Sequence, residues 1–311
     1  MHRFIKKLLL LFLPLLTVLL VLDLYLINNL SSYLNSADEV SVWSEIREGK
    51  IDCEIAIYGS SRAWNQINPQ VLEDKLGLSA YNFGIDGHNF RLQYLRHLKL
   101  IQSGVKPKII VHSADVFTFE RREKLYNRNQ FIPNMLWDFE TYYYTSPYKG
   151  FELVDYVIPL VRFRHLLSIR NPLNENSSIS REKGFYGLKG SWTDDFEKAK
   201  EIWGNYEVKF DSETLEMYEK FLSECKNDSI QVVIVYTPEY IEGQSFVINR
   251  AEVLSRLKDF AKKYEIVILD YSDSYLSNDK YCFHNVSHLN EEGALVFSNV
   301  LADHLLEVLS R

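Results

Sequence analysis

The sequence predicts an α/β protein: a doubly wound three-layer sandwich on a parallel five-stranded sheet, with an N-terminal transmembrane helix and a helical, aromatic-rich insertion. Three observations predict it. Short β-branched runs alternate with helical stretches of about 10–15 residues, the rhythm of βαβ crossovers. A long apolar run lies near the N-terminus. Aromatic residues crowd the stretch after the third strand.

Taking the chain in order, residues 8–22 are apolar but for Thr17, and residues 24–27 extend the run past Asp23. The 20 residues of 8–27 match, at about 1.5 Å each, the roughly 30 Å of bilayer hydrocarbon. Arg3, Lys6 and Lys7 precede this run, and Asp38 and Glu39 follow it. The positive-inside rule therefore predicts a cytoplasmic N-terminus and an extracytoplasmic remainder. A cleaved signal peptide would have a shorter apolar core and a small-x-small site, which Asn35-Ser36-Ala37 matches poorly. The expectation is an uncleaved anchor over 1–30 and a polar connector over 31–50.

The α/β domain is expected over 51–311. Its strands are predicted at 53–58, 79–83, 108–112, 230–236 and 266–269. Helices are predicted at 65–76, 89–103, 213–225, 249–263 and 291–309. This succession gives a flavodoxin-like sandwich, whose ligands bind at the carboxyl ends of the strands. An insertion interrupts it at about 117–209, with Trp137, Tyr142, Tyr143, Tyr144, Tyr148, Phe151, Tyr156, Phe163 and Trp192. A structureless loop of that length is implausible, so it should carry helices of its own. Its aromatics either line a glycan or acyl site or, for most of them, pack a cap onto the sheet.

Composition narrows the function classes. With 46% hydrophobic and 25% charged residues the chain is globular, and a net charge of −7 without a long basic run argues against nucleic acid as a partner. Cys53, Cys225 and Cys282 form no C-x-x-C, which argues against a zinc ribbon or a thioredoxin-like site.

Three segments carry chemistry, each just beyond a strand or before a helix. Gly59-Ser60-Ser61-Arg62 ends the first strand, placing a serine beside the N–H groups that a helix start leaves unpaired, as an acyl-transfer oxyanion requires. It matches neither G-x-S-x-G nor a P-loop. Asn82-Phe83-Gly84-Ile85-Asp86-Gly87 follows the second strand, where glycine lets the backbone approach a bound group. Asn285-Val286-Ser287-His288 sits on a loop before the terminal helix, from which a histidine can reach the first strand's serine. His284 and His288 invite a zinc reading, but the Glu of H-E-x-x-H is missing and the segment reads as loop rather than helix.

Together these segments resemble the SGNH/GDSL hydrolase family, over residues 51–307 apart from the insertion. The resemblance implies Ser61 as nucleophile, His288 as general base, and the N–H groups of Ser61 and Gly87 as the oxyanion hole. Asn285 stands where the family has the aspartate that orients the histidine. The family's third-block asparagine has no clear counterpart, Asp115 lying nearest; Asp115 and Arg62 are the candidate supporting residues. The Gly-Ser-Ser-Arg start and the His-Leu-Asn-x-x-Gly-Ala close look most like the anchored, exported branch. That branch assists O-acetylation of envelope polysaccharides or D-alanylation of teichoic acids. An acylated glycan or other ester, the membrane and a membrane-bound acyltransferase are thus the implied partners, and no cofactor or metal is expected. The competing reading is a catalytically silent relative that binds a glycan or scaffolds an acyltransferase. A flavodoxin-like cofactor binder is disfavoured because the Gly84/Gly87 turn does not give G-x-G-x-x-G.

Overall fold

The computed structural model describes residues 2–33, 37–168, 181–190, 192–193 and 196–310. Asn35-Ser36 and residues 169–180 of the expected insertion lie outside the described residues. In chain order the elements are α1 (His2–Tyr33), α2 (Ala37–Arg47), β1 (Ile55–Gly59), α3 (Ser61–Gln66), α4 (Pro69–Leu76) and β2 (Ala80–Asn82). Then come α5 (Phe90–Gln102), β3 (Ile109–Ala114), α6 (Phe139–Thr145), α7 (Leu153–Val157), α8 (Phe196–Trp203) and α9 (Ser212–Asn227). The chain closes with β4 (Gln231–Tyr236), α10 (Arg250–Tyr264), β5 (Val267–Asp270), β6 (Phe283–Asn285), β7 (His288–Leu289) and α11 (Glu291–Leu309). These divide into two compact units, Met1–Ser44 with Glu123–Ser180, and Glu45–Arg122 with Arg181–Arg311.

The second unit is the α/β sandwich. Its five strands run in the order β2-β1-β3-β4-β5, and every pairing is parallel. β1 and β3 are buried along their whole length, as expected of central strands covered on both faces. Alternation along the strands assigns the two faces. Ile55, Ile57, Val111, Val233 and Val235 join Ala63 of α3, Leu72 of α4 and Phe297, Leu301 and Leu305 of α11 in one core. On the other face, Phe90 and Tyr94 of α5 meet Phe221 of α9, with the Phe90 and Tyr218 rings 4.7 Å apart. Truncating a ring as enclosed as Phe297 to alanine costs about 3–5 kcal/mol.

Two local expectations change. The helix expected over 65–76 is two helices, α3 and α4. Asn68 Oδ1 accepts from Gln70 N at 2.9 Å and Pro69 occupies the first turn of α4, and a residue before proline resists helical dihedrals. The segment expected as loop around 283–290 is an antiparallel ribbon, β6 and β7, pairing Phe283 with Leu289 and Asn285 with His288.

The first unit gathers α1, most of α2 and the described part of 123–168. Within α1, Leu10–Asn29 is 20 residues of mean hydropathy 2.6, long and apolar enough to cross a membrane. Its single acidic residue, Asp23, is buried. Asp23 Oδ1 accepts from Arg162 Nη2 at 2.5 Å and Oδ2 from Leu160 N at 3.0 Å. Tyr144, Tyr148, Tyr156 and Phe163 are buried, and Trp137 N donates to Tyr156 O at 2.9 Å. Trp192 belongs to the other unit, 4.8 Å from the ring of Tyr240.

Candidate active site

The site grows from the end of β1. Gly59 has φ +154°, and a Cβ there would come within 2.6 Å of Ser113 O and 2.7 Å of Ala63 Cβ. Only glycine lets the chain turn this tightly from strand to helix. Ser60 then caps α3, its Oγ accepting from Arg62 N at 3.3 Å. Ser61 is the first helical residue, so its N–H has no carbonyl within the helix to bond.

The ribbon delivers the partner. His288 Nε2 lies 2.8 Å from Ser61 Oγ, and His288 Nδ1 lies 3.0 Å from Asn285 Oδ1. Asn285 Oδ1 also accepts from the backbone N–H groups of Ser287 and His288, both at 3.0 Å. Two backbone donors on that atom fix it as the amide oxygen. An oxygen that only accepts requires a proton on Nδ1, which leaves the Nε2 lone pair facing Ser61. The ribbon is tied to α3, because Gln66 Nε2 donates to Ser287 O at 3.0 Å. Beyond it, Leu289 enters the core and Asn290 caps α11 through Gly293 N at 2.8 Å.

Burial, then Arg62 and His284, depress the His288 imidazolium to about 4. At neutral pH the ring is therefore uncharged, the form able to take a proton from serine.

On the other side of Ser61, the turn after β2 is fastened to β1 and α3. Ile85 N donates to Gly59 O at 2.9 Å. Asn82 Nδ2 donates to the carbonyls of Ala63 and Ile67, each at 2.8 Å, while Asn82 Oδ1 accepts from Gly84 N at 2.9 Å. Gly87, with φ +70°, borders the same cavity as Ser61 and His288, a space of about 210 Å³. Among the described residues no acceptor takes up the N–H of Ser61 or of Gly87. Asp115 is also there, but its carboxylate is occupied. Oδ2 accepts from Ser60 Oγ and Oδ1 from Phe117 N at 2.8 Å. It caps the turn after β3 and offers no donor to an oxyanion.

Arg62 lies buried behind the nucleophile. Its Nε donates to Thr237 Oγ1 at 3.0 Å, Nη1 to Glu239 Oε2 at 3.1 Å, and Nη2 to Thr237 O. Glu239 Oε1 in turn accepts from Tyr236 OH and Arg250 Nε, each at 2.9 Å. Burial works against the guanidinium's charge, but Glu239, Tyr236 and Asp115 outweigh it and hold it charged. Sequence reasoning missed Thr237, Glu239 and Arg250. For Thr237 and Glu239 the one signal was position, since Thr237-Pro238-Glu239 directly follows β4 at the carboxyl edge of the sheet. It also missed the apolar wall of the cavity, made by Phe117, Trp203, Phe246 and Val247, and Arg122 at its border. Among the described residues no carboxylate pairs with Arg122, whereas Arg62, Glu239 and Asp115 are all engaged.

The three cysteines are free. Among the described residues no three His, Cys, Asp or Glu side chains gather as a metal site.

No family model matches the chain, and no curated protein matches it. Solved structures do resemble it. A GDSL-like lipase from Bacteroides thetaiotaomicron is 10% identical, over 87% of this chain and 99% of that one, with a TM-score of 0.42. An acetyl xylan esterase is 12% identical, over 82% of this chain and 98% of that one, with a TM-score of 0.40. Likenesses this distant describe those proteins; the chemistry of this chain is read from its own atoms.

Proposed function

We propose that the protein is a serine acyl-hydrolase or O-acyltransferase of the SGNH/GDSL type, held to the membrane by α1 and acting outside the cytoplasm on an acylated envelope glycan. The contact between Ser61 Oγ and His288 Nε2 at 2.8 Å, with Asn285 Oδ1 behind the ring, carries this reading. Ser61 Oγ bonds to the ester carbon while its proton passes to Nε2. The oxyanion gathers the N–H groups of Ser61 and Gly87. The C–O bond to the leaving alcohol then breaks, and His288 returns the proton to that oxygen. Water or a sugar hydroxyl next attacks the acyl-serine, with His288 again as base. The glycan itself rests on the resemblance of the Gly-Ser-Ser-Arg and His-Leu-Asn motifs, and the cavity's size suits a short acyl group.

The test uses the full chain in detergent with p-nitrophenyl acetate and a fluorophosphonate probe. Nitrophenol release and labelling at Ser61, both lost in Ser61→Ala, are expected. Asn285 and Asp115 favour a second reading, a silent protein that binds a glycan or holds an acyltransferase. It predicts an unlabelled Ser61 with glycan binding retained.

A further inference from the structure

The first unit turns apolar side chains outward where α1 is clasped. In α7 and the residue after it, Leu153, Val154, Val157 and Ile158 are between 38% and 62% exposed, while Asp155 and Tyr156 point into the unit. Leu153, Val154 and Val157 share one face of α7, and Ile158, its extended C-cap, directly follows them with its side chain exposed as well. Trp137 is 58% exposed beside them, its Nε1 donating to Val157 O at 2.8 Å. Two residues past Ile158, Leu160 N and then Arg162 grip Asp23 of α1.

The position of Asp23 sets a depth. It lies six residues before the end of the Leu10–Asn29 stretch, about 9 Å along the axis at about 1.5 Å per residue. Interfacial helices bury their apolar faces about 5–10 Å into the boundary between headgroups and acyl chains. A segment fastened to α1 at that level brings its own apolar face to the same level. Tryptophan is the residue type most at home there.

We propose that the exposed face of α7, with Trp137, lies in the outer interface of the bilayer that α1 crosses, so that phospholipid covers it. This rests on the reading of α1 as a membrane span. The continuity of the face with the Asp23 clasp selects lipid as the occupant over a second protein.

The full chain, with Cys282→Ser, is reconstituted in phosphatidylcholine vesicles and spin-labelled singly at Leu153→Cys, Ile158→Cys, Leu22→Cys or Tyr281→Cys. Collisions with oxygen, which enriches in lipid, and with a water-soluble nickel chelate are measured. The labels at 153 and 158 should meet oxygen readily and nickel about tenfold less often than the label at 281, as a site within the interface does. If 22 is shielded from nickel while 153 and 158 are open to it, the span stands and this inference falls. If 22 is also open to nickel, both fall. Labels at 153 and 158 closed to both reagents mean protein cover, which overturns the lipid assignment.

Discussion

Arg62 of the α/β unit and Arg162 of the first unit are both buried, and the two are treated differently. Arg62, in the α/β unit, has all three guanidinium nitrogens hydrogen-bonded and lies 4.9 Å from the Tyr236 ring. Arg162, in the first unit, bonds Asp23 through Nη2, while Nε and Nη1 find no partner among the described residues. Burial depresses Arg162, and Asp23 only partly offsets it. A charge held from every side is a rigid support, whereas a charge held from one side makes its partner indispensable. Arg62 is thus held redundantly, whereas among the described residues Asp23 of α1 is held by Arg162 and the Leu160 N–H, with Arg162 its one charged partner.

Ser61→Ala should cut ester turnover by at least about 10³ without changing membrane retention; a smaller loss would remove Ser61 from the chemistry. Arg162→Met leaves Asp23 buried and unpaired, at a cost of about 3–5 kcal/mol. It should appear as faster proteolysis within the first unit, with hydrolysis of a soluble ester retained. Arg62→Met should leave proteolysis of the first unit unchanged and raise the acid limb of the rate profile, because Arg62 helps keep His288 neutral. Asn285→Asp should raise kcat about tenfold or more, since a carboxylate also stabilises the imidazolium. The three N–H donors on that oxygen would receive it without new cost.

A broader pH effect follows from burial. His288 and His97 are depressed to about 4 and His112 to about 3. The folded chain thus binds fewer protons than the unfolded one below the ordinary histidine value of 6.5. Their contribution is full above that value and is lost as pH falls through about 4 to 3. Urea midpoints measured across that range should decline accordingly. The smallest effect belongs to Arg122→Ala, a rise of a few-fold in KM for an ester bearing an anion and none for a neutral one.

What the sequence revealed follows physical range. The sheet and its helices were legible because hydrophobic period is a local property. That Ser61, Gly87 and His288 would come together was legible because each sits at an element's end in a short motif. Arg62's partner Thr237 is 175 residues away, and Arg162 lies 139 residues from Asp23. No local pattern joins such pairs. The strand character of 283–289 was hidden for a related reason, since a ribbon of three residues against two is set by its partner.

Behind His288 stands an amide rather than a carboxylate. A carboxylate in that position has an acid form of its own, so the usual arrangement gathers two protons as the medium acidifies. Asn285 has none, and its oxygen keeps the same three donors at any pH the fold survives. The orienting element is therefore blind to acidity. Loss of activity on the acid side should trace a single ionisation with unit slope, that of the imidazole alone.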